Sequence, residues 1–274
     1  VQSSVSKLEI TTTDITAPTV SSVASTAKDG YYKIGDVIAI VITFSESVTV
    51  TGTPQLTLET GDDDAVVDYS SGSGSVTLTF NYTIAAGHTN SDLDYTSTTA
   101  LALNSGSIKD AAGNDATLTL SEPGGGTSLG SNKDIVVDGV VPTLSSLSPA
   151  DDATAASPNS NLTITFSEDV ATGSGDLILK KSADDSEYES IGASSDKITI
   201  SGAVATINPA KDMETSTQYY VTVASGMFKD GAGNEYAGFS DATDWNFTTS
   251  AEADVTAPSA ASAVVYDGTE ADVD

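Results

Sequence analysis

The chain has 274 residues, of which 39 are acidic and 10 basic, for a formal net charge of −29 at pH 7. Every basic residue is Lys, which argues against nucleic acid and against an anionic membrane surface, and suits a cation-rich milieu. Cys is absent, which rules out disulfides and Cys-ligated zinc, and no apolar run approaches the ~18 residues of a membrane span.

Residues 1–13 (VQSSVSKLEITTT) read as the last strand of a preceding module. They begin mid-phrase, without a charged-then-apolar leader pattern, as a piece of a longer chain would. DITAP (14–18) sets an extended entry, because Pro18 fixes φ and has no N–H. Tyr31 and Tyr32 follow a KDG turn and are expected at the surface. In VIAIVITF (37–44), Ile38, Ile40, Ile42 and Phe44 recur at period two, predicting a strand that ends just before Glu46. GDDD (61–64) lacks the spacing and Gly of an EF-hand loop and reads as a solvated hairpin tip. SVTLTFNY (75–82) predicts a strand burying Val76, Leu78, Phe80 and Tyr82. His88, the sole His, falls on a loop or strand edge, with neither a Cys nor a second His to make a zinc site.

EPGGGTSLG (122–130) reads as a flexible loop with no helix after it to cradle a phosphate. LTITF (162–166), KITI (197–200), YYVTV (219–223) and DWNFTT (244–249) continue the strand pattern, with Trp245 packing inward beside Phe247. No amphipathic helix of three turns appears. Many short strands separated by Gly, Asp, Asn and Ser turns predict an all-β fold, a β-sandwich of about seven strands per module.

Three phrases recur in the same order. TFSE occurs at 43–46 and 165–168, KDAAGN (109–114) returns as KDGAGN (229–234), and DITAP (14–18) returns as DGVVP (138–142) and DVTAP (254–258). The offsets lie between 116 and 124 residues. This sets modules at 14–137 and 138–253, with 1–13 ending a preceding module and 254–274 opening the next.

In a sandwich, the entry to the first strand, the end of the second strand and the loop before the last strand meet at one pole. Asp14, Glu46 and Asp110 should therefore converge in module one, and Asp138, Glu168 and Asp230 in module two. Asp254 opens a third such set. Packed carboxylates repel, and a hard cation removes the conflict. Ca²⁺ takes six to eight oxygens, and Asn114 and Asn234 add amide oxygens beside Gly113 and Gly233, which permit φ > 0. Calcium at such a pole would also stiffen the linker. The plainer reading of KDxAGN is a turn in which Asp caps its own backbone.

These residues carry a resemblance. PTVSSV, GDVIAIVITFSESVTVTGTPQLTLETG and LALNSGSIKDAAGNDATL resemble Ig-like repeats of large secreted bacterial surface adhesins of the RTX type. The second module, with NLTITFSEDV, QYYVTVASGMFKDGAGNEY and WNFTT, is similar to the bacterial Ig-like domain first named in S-layer proteins. The resemblance implies two tandem Ig-like, cadherin-like sandwiches in an elongated arrangement. It further implies a Ca²⁺-stabilised extender on the bacterial cell surface, monomeric, whose partners are the neighbouring modules of the same chain. The alternative is an adhesive module that binds a carbohydrate or peptide directly. No enzyme is expected, because among 39 acids some pair always lies at a hydrolytic distance, and a catalytic site is rarely repeated in tandem.

Overall fold

The computed structural model describes residues 13–251, so Asp254 and the flanking segments 1–12 and 252–274 lie outside the described residues. The chain forms two compact units. The first runs through Pro142 and also takes in Lys229–Tyr236; the second comprises Thr143–Phe228 and the residues from Ala237 on. Both units are built from β-sheets, in an almost entirely β chain.

In chain order the first unit holds β1 (Val20–Ser25), β2 (Gly30–Lys33), β3 (Val37–Thr51), β4 (Gln55–Leu58), β5 (Ala65–Ser71), β6 (Ser75–Thr83), β7 (Thr89–Asn90), β8 (Leu101–Ala102) and β9 (Ser107–Lys109). The one-turn helix α1 (Leu129–Asn132) and β10 (Ile135–Asp138) complete it. One sheet follows the order β1-β3-β6-β5-β4-β8, with β9 joined to β3, and β2-β10-β7 form a smaller sheet. Period-two patterning buries Ile38, Ile40, Ile42 and Phe44 from β3 against Leu78, Phe80 and Tyr82 from β6. Each such side chain contributes about 1.5–3 kcal/mol on burial.

The remaining strands are β11 (Leu144–Ser148), β12 (Ala153–Ala156), β13 (Leu162–Phe166), β14 (Ala171–Thr172), β15 (Asp176–Lys181), β16 (Glu187–Gly192), β17 (Ile198–Ser201), β18 (Val204–Ile207), β19 (Gln218–Val223), β20 (Phe228–Lys229) and β21 (Asn246–Thr249). They pair as β11-β13-β18-β17, β12-β21-β19-β15-β16 and β14-β20. Trp245 and Phe247 are fully buried, and Trp245 Nε1 donates to Pro149 O at 2.8 Å. GDDD forms the tip of the β4–β5 hairpin.

Several expectations are corrected. The strand that was to end before Glu46 continues to Thr51, because β3 changes partner: its ladder with β6 skips from Thr43 to Val48, and Thr49–Thr51 then pair with β9. Asp138 is the last residue of β10. Val76 is 43% exposed, since β6 turns inward only from Leu78. Tyr31 is exposed, but Tyr32 is half-buried and donates its hydroxyl to Lys28 O. The 122–130 segment leads into α1, where Ser128 caps the turn by accepting from Ser131 N. Four residues make no anion site.

Candidate metal centres

The Ser of TFSE ties the entry segment to the strand. Thr19 N donates to Ser45 Oγ at 3.0 Å, and Ser45 N donates to Thr19 O at 2.8 Å. In the second repeat Thr143 N and Ser167 Oγ lie 3.0 Å apart, and Ser167 N donates to Thr143 O at 2.9 Å. Glu46 sits where β3 leaves its ladder with β6. Thr49 pairs with Lys109, so Asp110, the next residue after β9, is carried to the same place. The second repeat uses the same device: Glu168 follows β13, β14 pairs with β20, and Asp230 follows β20.

The linker acids bend toward their own backbone. Asp14 Oδ1 accepts from Thr16 N at 2.9 Å, and Asp138 Oδ1 accepts from Val140 N at 3.1 Å. One oxygen of each is thereby oriented, which leaves the other for a ligand. The result is two triads. In Asp14, Glu46 and Asp110, and again in Asp138, Glu168 and Asp230, one carboxylate oxygen from each residue lies within 4.8 Å of the others.

Most hydrogen bonds of the KDxAGN loop recur in both copies; the glycine amide differs, with Gly113 N donating to Asp110 O at 3.3 Å and Gly233 N to Asp230 Oδ1 at 2.6 Å. Asp110 N donates to Asn114 O at 3.1 Å, as does Asp230 N to Asn234 O. The Asn amides return the contact, to Asp110 Oδ1 and Asp230 Oδ1 at 2.8 Å in both copies. Asn114 Nδ2 donates to Asp110 Oδ2 at 2.7 Å and to Asp14 O at 3.1 Å; Asn234 Nδ2 donates to Asp230 Oδ2 at 2.8 Å and to Asp138 O at 2.9 Å. Gly113 and Gly233 both have φ +95°, which an L side chain rarely adopts.

The electrostatics follow the geometry. Burial pushes the Glu46 carboxyl above the ordinary range, and the charges of Asp14 and Asp110 add to the push. Burial likewise raises Asp138, with Asp230 contributing, although the Val140 amide opposes it. Burial also works against charge on Asp110, but hydrogen bonds from the Asn114 side chain and from the Asn114, Gly113 and Ala112 amides outweigh it and hold that carboxyl below the ordinary range. The first triad thus pairs a loop Asp, Asp110, held in its charged form with a neighbour, Glu46, whose charge is opposed.

An all-oxygen set of this span fits a hard cation. Metal–oxygen distances of roughly 2.3–2.6 Å place opposing Ca²⁺ ligands up to roughly 5 Å apart. His88 is engaged elsewhere: its Nδ1 meets Tyr82 Oη at 2.9 Å, and the two rings stack. The sequence reading missed the Ser45 and Ser167 hydroxyls and the hydrogen bonds that Lys33 Nζ and Ile34 N give to Gly233 O and Asn234 Oδ1 in the second loop. The first carried a signal, since Ser is invariant between the two TFSE copies; the second carried none.

Two all-β units and two recurring carboxylate triads characterise the described residues. Residues 138–249 match the family model of the bacterial Ig-like domain, the segment that contains Asp138, Glu168 and Asp230. No curated protein matches the sequence. Among solved structures, a fragment of the I-band of titin aligns over 86% of this chain at 12% identity with a TM-score of 0.35. The alignment spans 66% of that fragment, just under two thirds of its length.

Proposed function

We propose that this chain is a Ca²⁺-stabilised extender segment of a bacterial cell-surface adhesin, with one cation held by Asp14, Glu46 and Asp110 and a second by Asp138, Glu168 and Asp230. The observation that carries the reading is the duplication of a complete carboxylate triad, together with the hydrogen bonds that shape it. A site built twice suits an element that repeats along a chain. Bacterial Ig-like domains are structural modules, typically extracellular or at the surface. No helix among the described residues is long and apolar enough to cross a membrane.

Bound Ca²⁺ supplies charge neutralisation, and the protein's own residues do the rest. Asp110 and Asp230 present carboxylates fixed by their loops. Glu46 and Glu168 come from the strand side, and Asp14 and Asp138 from the entry segment. Asn114 and Asn234, expected as ligands, take the part of clamps in this reading, because their amide nitrogens face the carboxylates. A cation held this way fastens the entry segment to the body of the fold.

The reading is tested by calorimetric titration with Ca²⁺ and by melting with and without chelator. Two cations per chain and a midpoint lowered by chelator are expected. At a free Ca²⁺ one hundred times Kd, linkage predicts about 2.7 kcal/mol of stabilisation per site. An unchanged midpoint and no heat of binding would overturn it. The adhesive alternative needs an exposed aromatic platform for a sugar, and among the described residues Tyr31 is the aromatic with a large exposed surface.

A further inference from the structure

The two KDxAGN loops share most of their internal hydrogen bonds but not their surroundings. Lys229–Tyr236 packs as part of the first compact unit. There Ile34 N donates to Asn234 Oδ1 at 3.1 Å, and Lys33 Nζ donates to Gly233 O at 3.2 Å, each across 200 residues of sequence. The Lys33 stem also covers the loop, its Cδ lying 3.7 Å from where a Gly233 Cβ would stand. The strand carrying Asp138 belongs to the same body: β10 pairs with β2 on one side, Asp138 opposite Lys33, and with β7 on the other.

The first loop has no such frame among the described residues. A Cβ on Gly113 would meet nothing within 4 Å. No described amide donates to Asn114 Oδ1, and its Nδ2 is shared with Thr16 O at 3.4 Å as well as with Asp14 and Asp110. Asn114 is half-exposed, whereas Asn234 is 3% exposed. Asp14 stands exposed in irregular chain.

We infer that Ile34 is a positioning residue for the second cation site: its backbone N–H fixes the Asn234 amide, so that Nδ2 is held on Asp138 and Asp230, and the second site binds Ca²⁺ more tightly than the first. This rests on the Ca²⁺ reading above. The physical reason is preorganisation. A clamp already ordered by a third partner costs less to order when the ion arrives. The consequence is that the site does not lie wholly within the segment that matches the family model. Residues about a hundred positions upstream of that segment complete it.

The turn itself supplies a clean test. Asp36 N donates to Lys33 O at 3.1 Å and Gly35 has φ +87°, the arrangement of a type II turn with Ile34 at its first central position. Proline suits that position, and strand residue Lys33 before it is already extended. Ile34→Pro therefore deletes the donor and keeps the turn, while Ile34→Ala keeps the donor and trims the side chain.

On the full chain, calorimetric Ca²⁺ titration of the wild type should resolve two affinities. In Ile34→Pro the tighter one should weaken about 3- to 10-fold, the worth of one hydrogen bond, with the weaker one unmoved. Ile34→Ala should leave both in place. In the wild type, hydrogen exchange at the Ile34 amide should slow on Ca²⁺ saturation. Equal affinities in the wild type, unchanged affinities in Ile34→Pro, or an Ile34 amide indifferent to Ca²⁺ would overturn the inference. Absence of any Ca²⁺ binding to the wild type would instead overturn the reading it rests on, and the inference with it.

Discussion

Thr19 and Ser45 hold each other by two hydrogen bonds, amide to hydroxyl at 3.0 Å and amide to carbonyl at 2.8 Å, across 26 residues of sequence. This pair fastens the segment just after Pro18 to the strand that carries Glu46. Ser45→Ala keeps the carbonyl bond and leaves the Thr19 amide without its acceptor. The expected cost is about 1 kcal/mol of stability, read as a lower urea midpoint at unchanged slope. Because Asp14 precedes this loosened attachment on the same entry segment, Ca²⁺ affinity at the first site should fall as well. A Ser45→Thr variant, which retains the hydroxyl, should recover part of both.

Glu46→Gln should act with opposite signs in the two states of the protein. In chelator, the charge on Glu46 is opposed by burial and by Asp14 and Asp110, so removing it should raise the unfolding midpoint. In Ca²⁺, the same change deletes a charged ligand, and the Ca²⁺-dependent gain at the first site should disappear. Denaturant melts of wild type and variant, each with and without Ca²⁺, make a four-way comparison. A variant less stable than wild type in chelator would show that Glu46 is held by something other than its charged neighbours.

The strands and the meeting of the triad residues were legible because each depends on local or repeated text. Ile38, Ile40 and Ile42 announce their buried face by period, and Glu46 and Asp110 announce their partnership by recurring as Glu168 and Asp230. What could not be read depends on where a strand changes partner. Nothing in SESVT says that the ladder of β3 with β6 breaks between Thr43 and Val48 and that β3 takes up β9 at Thr49. The role of Ile34 was equally hidden, since it acts through a backbone N–H, a group every residue but Pro has.

Acidity should separate the two forms of the protein. Glu46 and Asp138 have folded-state pKa values above their ordinary ones, so the folded chain binds protons there before the unfolded chain does. Their contribution to the stability of chelated protein therefore grows as pH falls through the raised values and levels off below the ordinary values of about 4. Asp110 has the opposite sign. Its depressed value gives stability above about pH 4 that is lost as pH falls through the folded value. With Ca²⁺ present, protons compete for the same oxygens, so the Ca²⁺-dependent gain should shrink over the window in which chelated protein improves. Unfolding midpoints from pH 7 to pH 4, with and without Ca²⁺, should converge. Comparison with Glu46→Gln isolates the Glu46 share from the general relief of a chain at −29.

Gly113 tests whether loop shape or loop chemistry matters more. Its φ of +95° is strained for any L side chain, yet a Cβ there would meet nothing within 4 Å. Gly113→Ala therefore introduces backbone strain without a clash, at a cost of about 1–2 kcal/mol if the loop holds its form. If the loop relaxes instead, the strain is relieved by moving Asn114, whose amide and Nδ2 both grip Asp110. The stability loss should then be smaller and the loss of Ca²⁺ affinity larger. The grip on Asp110 argues for the first course, because relaxation breaks two bonds to a buried carboxylate to spare one strained residue. Gly113→Ala should accordingly lower the chelated midpoint while leaving Ca²⁺ affinity at the first site within about threefold of wild type, roughly half a hydrogen bond. A large fall in affinity with little change in the chelated midpoint would show that the loop yields, and that its shape is set by the glycine rather than by the Asp110–Asn114 pair.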